Sequence, residues 1–120
     1  MSKNAGTIRR LQKAGLYGVI DAKQYITEHL PQTEILAQLA EEAAELAQAA
    51  LKLRRCYDGT NPTPMKWTTA KESLLEEYGD VLDCMELLIT PTESAQVAEQ
   101  RKEKFIRWES RLREKKRRSV

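Results

Sequence analysis

From Thr33 to about Cys56, the residues Ile35, Leu36, Leu39, Ala43, Leu46, Ala50 and Leu53 recur at the 3.6-residue period of an amphipathic helix. That run ends near Gly59. The segment CYDGTNPTPMKW then holds Asp-Gly and Asn-Pro-Thr-Pro, turn and extended signals that cannot continue a helix. Thr69 and Glu72 form a T-x-x-E capping box, after which Leu74, Leu75, Tyr78, Val81, Leu82, Met85, Leu88 and Ile89 mark a second helical stripe that stops at Pro91. Thr90, Pro91 and Glu93 make another box with proline at the first helical position, opening a last helix to about Lys116. The first thirty residues read as two short helices, 6–16 and 21–30, with Asp21 as N-cap and Pro31 as stop. Their apolar residues are sparse, so an arm packing on a partner and a part of the core are equally open. His29, beside Pro31, is read as a helix-end residue bonding the last carbonyls.

These elements predict an all-α helical bundle in one domain, 1–120, with 1–30 as an N-terminal arm and 33–116 as the working helices with a basic tail. The connection around Asn61-Pro62-Thr63-Pro64 reads as a surface turn rather than a lid. Two long amphipathic helices with short accessory ones cannot cover both stripes within one small chain. A homo-oligomer, at least a dimer, is therefore expected, with helices 33–56 and 69–90 at its interface.

Composition narrows the class. About a third of the residues are charged and only 6% are aromatic, a mix that favours helices. No stretch approaches the ~18 uninterrupted apolar residues of a membrane span, and the start MSKNAGTIRR leads into no apolar segment, so a cytoplasmic protein without a membrane role is expected. Cys56 and Cys84 form no C-x-x-C pair and have one histidine for company, which argues against zinc and against a Ser or Cys hydrolase triad. Cys84 reads as a packing residue. The net charge of +2 hides an asymmetry: residues 1–100 carry −5 and residues 101–120 carry +7.

The acidic side of that asymmetry carries the candidate chemistry. At about 100° per residue, Glu42 falls about 65° from the centre of the first stripe, and Glu45 lies one turn away on the same flank. Glu77 sits about 90° from the centre of the second stripe, with Asp80 three residues later on its flank. Glu41 points away from the apolar side. Packing the two stripes together brings four carboxylates toward one small volume, which is tolerable only with cations present. Hard oxygen ligands without histidine or thiolate select Mg²⁺, Mn²⁺ or Ca²⁺. Magnesium keeps few protein carboxylates and fills its shell with water and phosphate, so four suit two ions and a di- or triphosphate guest. Many solvated helices also carry E-E-x-x-E, and the competing reading of these glutamates is a solvated face.

LAEEAAELAQAALKLRR (39–55) followed by ESLLEEYGDVLDCMELL (72–88) resembles the MazG-like, all-alpha nucleotide pyrophosphohydrolase superfamily, whose signature is E-E-x-x-E and then E-x-x-D on the next helix. QRKEKFIRWESRL (100–112) is similar in style to the basic helix on which such proteins often end. Mapped by motif, the family's metal ligands fall on Glu42, Glu45, Glu77 and Asp80. The resemblance implies Mg²⁺-dependent hydrolysis of a nucleoside triphosphate to a nucleoside monophosphate and pyrophosphate, by a dimer or tetramer. The 31 residues between Glu45 and Glu77 exceed the motif's usual spacing.

In this reading Glu45 orients or deprotonates the attacking water. Lys52, Arg55, Lys104 and Arg107 are the candidates for phosphate contacts, with a solvated helix face or an intersubunit ion pair as their competing roles. Trp67 either anchors the loop or stacks on a base, and anchoring is the expected role. Within the enzyme class the alternative is phosphoribosyl-ATP pyrophosphohydrolase. From another class comes a helical module binding nucleic acid through RLREKKRR. Solvation of a helix C-terminus, where cations offset the dipole, accounts for that tail without nucleic acid, which is therefore not an expected partner.

Overall fold

The computed structural model describes residues 15–62 and 64–119, and these form helices without any strand. They are α1 (Leu16–His29), α2 (Gln32–Asp58), α3 (Trp67–Leu88) and α4 (Pro91–Arg118). The all-α expectation holds. The helix expected over 6–16 lies almost wholly outside the described residues. The chain divides into two compact units at Leu88, the first holding α1 to α3 and the second α4.

α1 starts five residues earlier than expected, because nothing between Leu16 and Asp21 blocks a helix and the Val19 N–H already bonds the Gly15 carbonyl at 3.2 Å. Gly15 is the N-cap and makes no side-chain cap bond, so Asp21 stands inside the helix rather than at its start. At the other end Leu30 is extended, as a residue before proline must be, and donates to the Ile26 carbonyl at 2.8 Å. His29 plays its expected part: Nδ1 faces the Tyr25 carbonyl at 2.8 Å and so carries the proton, while the two rings stack at 3.8 Å. Lys23 of α1 pairs with Glu86 of α3.

α2 and α3 form an antiparallel hairpin. α2 closes on Gly59, whose φ of 64° is the left-handed conformation glycine adopts without strain, and whose N–H bonds the Arg55 carbonyl at 3.0 Å. In the loop Asp58 Oδ1 accepts from the Thr60 N–H at 3.0 Å, and the Cys56 thiol donates to the Met65 carbonyl. Trp67 stacks across the loop on Tyr57, with ring centroids 6.3 Å apart. This is the anchoring role. The Trp67 contact also moves the start of α3: its first turn closes with the Ala70 N–H on the Lys66 carbonyl at 3.1 Å, so Thr69 is already helical and does not cap. The box at Thr90 forms fully, with Thr90 Oγ1 accepting from Glu93 N–H and Glu93 Oε1 accepting from Thr90 N–H.

The seam between α2 and α3 runs through Ile35, Leu39, Glu42, Leu46, Ala49, Leu53 and Cys56, all buried or half-buried. Those positions alternate steps of four and three, the 3.5-residue period of two helices wound on each other. α3 answers with Ala70, Leu74, Glu77, Val81, Cys84 and Leu88 at the same period. Leu36, Ala43 and Ala50 of the expected stripe are exposed instead. A broad 3.6-period stripe fits a core that covers it from several sides, whereas one partner helix covers only the narrower line, and that line runs through Glu42 and Ala49. Cys84 is buried in it, as a packing residue.

Ala49→Leu should therefore overpack the seam and cost about 1–3 kcal/mol. Ala50→Leu, one residue away on the exposed side, should change stability by no more than about 0.5 kcal/mol. Urea denaturation of the two variants checks the register of the hairpin.

Candidate metal centre

Halfway along the seam, the heptad line that should be apolar carries Glu42 on α2 and Glu77 on α3. Both side chains are half-buried, and one oxygen of each, Glu42 Oε2 and Glu77 Oε2, is fully shielded without a hydrogen-bond partner. A shielded carboxylate oxygen costs free energy unless a donor or a cation meets it. Glu45, one turn beyond Glu42 and exposed, completes a group whose ligand oxygens all lie within 4.8 Å of one another. Oxygens on opposite sides of a cation with bonds of about 2.1 Å stand about 4.2 Å apart, so small side-chain rotations suffice to hold an ion there.

The electrostatics agree with the crowding. Burial pushes the Glu77 carboxyl above its ordinary value, its side-chain hydrogen bond with Glu45 pushes the same way, and the charges of Glu45, Asp80 and Glu42 add to both. The Cys84 thiol is raised by its burial and then by Glu42, Asp83 and Asp80, which keeps it protonated and inert.

Of the four expected carboxylates the structure gathers Glu42, Glu45 and Glu77. Asp80 stands outside the group within 4.8 Å, half-buried on α3 and near enough for its charge to act on Glu77. Lys52 and Arg55 lie about 10 and 15 Å beyond Glu45 along the axis of α2, away from the cluster. Lys104 and Arg107 are exposed on α4, in the second unit. One participant was not foreseen. Gln38 donates its side-chain amide to Glu42 Oε1 at 2.7 Å, holding one oxygen and leaving the other to face the cluster. Its position four residues before Glu42 was the available sign.

No family model, no curated protein and no solved structure matches the chain. Among the described residues no helix is long and apolar enough to cross a membrane.

The raised Glu77 gives a pH dependence with a definite sign. A carboxyl whose folded pKa lies above its unfolded one stabilises the fold while protonated, and that contribution is lost as pH rises through the folded value. Without divalent cations the melting temperature should fall as pH rises from about 4.3, the ordinary glutamate value, through the raised folded one. In Glu77→Gln this decline should be reduced. Thermal melts in chelator across that range provide the measurement.

Proposed function

We propose that this chain is a Mg²⁺-dependent nucleotide pyrophosphohydrolase of the MazG-like kind, cleaving a nucleoside triphosphate to a nucleoside monophosphate and pyrophosphate. The observation that carries the reading is the pair of shielded, unpartnered oxygens, Glu42 Oε2 and Glu77 Oε2, on two carboxylates that come within 4.8 Å of each other and of Glu45. An all-oxygen donor set of this charge suits Mg²⁺ or Mn²⁺. The ion would supply neutralisation of phosphate charge and a more acidic bound water.

The residues divide the work by their exposure. Glu42, fixed by Gln38, and Glu77 are the inner ligands, and Asp80 is the outer one that a second ion would engage. Glu45 reaches solvent beside Glu42 and Glu77, which fits it to receive a proton from an attacking water. A nucleotide brings its own phosphate oxygens to the remaining positions, so recognition starts from the phosphates rather than from the base. The protein acts as a cytoplasmic homo-oligomer in this reading, a dimer or tetramer.

With Mg²⁺ and a panel of nucleoside triphosphates that includes phosphoribosyl-ATP, pyrophosphate release should appear. It should fall at least about a hundredfold in Glu42→Gln and Glu77→Gln. Mg²⁺ at a hundred times its Kd should stabilise the wild-type fold by about 2.7 kcal/mol and leave those two variants nearly unmoved. Glu41→Gln, on the exposed side, should keep both responses. Retention of turnover and of the Mg²⁺ shift in Glu42→Gln and Glu77→Gln would return these glutamates to a structural role.

A further inference from the structure

The outer face of α3 is built for a second helix. Leu75, Tyr78 and Leu82 follow one another at i, i+3 and i+7 and are 56%, 50% and 43% exposed. Beside them Glu72, Glu76 and Asp83 form an exposed acidic strip about 60–100° round the helix from Leu75. Gly79 lies between the two strips. A glycine inside a helix costs about 1 kcal/mol against alanine. Among the described residues no close neighbour repays that cost, because a Cβ there would meet no atom within 4 Å. A small residue on such a face lets another backbone come close.

α4 carries the matching surface. Phe105, Trp108 and Leu112 repeat the same i, i+3, i+7 spacing and are 60%, 52% and 59% exposed. Arg101, Lys104, Arg111 and Lys115 fall on the same half of the helix. The acidic residues Glu99, Glu103 and Glu114 fall on the other half, where Glu99 pairs with Lys102 and Glu114 with Arg117 and Arg118, while Glu109 borders the apolar row and pairs with Arg113. Aromatic anchors ringed by arginine are the composition of a protein-binding hot spot. The helix carries ten basic against five acidic residues, and the segment 32–88 carries eleven acidic against five basic.

We infer that α4 of one copy docks along the outer face of α3 on a second copy, with Phe105, Trp108 and Leu112 against Leu75, Tyr78 and Leu82 over Gly79. Equal spacing of the two apolar rows gives a coiled-coil-like seam, and the basic flank of one row meets the acidic flank of the other. The occupant is a second copy because the complementary row, in spacing and in charge, is present on this chain. The docking does not require the metal-site reading. It specifies surfaces for the oligomer proposed there.

Sedimentation of the full chain at tens of micromolar should give a mass of at least two copies, with association weakening as salt rises. Trp108→Ala and Phe105→Ala should each weaken association at least about tenfold. Gly79→Leu should do the same while keeping helical circular dichroism, since leucine favours the helix over glycine and a Cβ at that position meets nothing within 4 Å. Glu76→Arg with Asp83→Arg should also dissociate the assembly, and adding Arg101→Glu with Arg111→Glu should restore it. A monomeric wild type in low salt, or an unchanged mass in both Trp108→Ala and Gly79→Leu, overturns the inference. Because mass is read without substrate, this result is separate from the outcome of the pyrophosphate assay.

Discussion

A carboxylate set into an apolar seam between two helices must find a proton, a donor or a cation, and the other features of the hairpin follow from how Glu42 and Glu77 meet that demand. Glu42 has given one oxygen to Gln38. Glu77 has a hydrogen bond with Glu45, and its carboxyl is raised by its burial first and by that bond second. Neither solution reaches the two inner oxygens, which stay shielded and unbonded. Apolar residues at the same two positions would make a better seam by every packing criterion. Keeping charge there costs stability, and sites where local rules are broken at such a cost are where function concentrates.

The seam also explains how the hairpin holds its shape with so little buried. Ile35, Ala49, Leu53, Ala70 and Cys84 are its only buried apolar residues among those described, and two of the five are alanines. Small residues on both sides let the backbones approach, which brings the carboxylates within reach of one another. The same thinness leaves large side chains such as Leu36, Leu51, Leu75 and Tyr78 in contact with solvent. The hairpin thus covers one line of each helix and leaves other large apolar side chains open.

Much of this was legible in the sequence. The extents of α2 and α4 could be read from Pro31, Gly59 and the Thr90 box, because terminators and caps act through local geometry that no distant contact overrides. The phase of the seam could not be read in the same way. Seven apolar residues of α2 defined a stripe broad enough for several partners, and only the presence of a single partner helix selected the line through Glu42 and Ala49. The start of α3 escaped for a similar reason: Thr69 and Glu72 had the right letters for a cap, but Trp67 meeting Tyr57 across the loop closed the helix a turn earlier. Helical spacing put Glu42 and Glu45 on one flank and Glu77 beside the facing seam, which is why the three carboxylates come together. It could not tell which oxygens were already bonded, nor that Asp80 would stand apart, since both depend on side-chain rotation rather than on position.

The loop between Gly59 and Lys66 joins the hairpin without setting its phase. Each carboxylate is fixed by its place within its own helix, and the helices find each other through a heptad line. Extra residues in the loop would enlarge a surface bulge and leave the glutamates where they are. A single residue inserted between Leu46 and Leu53 would instead rotate everything beyond it by about 100° and break the seam at its middle. The two segments therefore differ in what they can absorb: a change of length in the connection leaves the seam in place, whereas a change in the number of residues from Glu42 to Leu53 takes half of the seam out of phase with the glutamate.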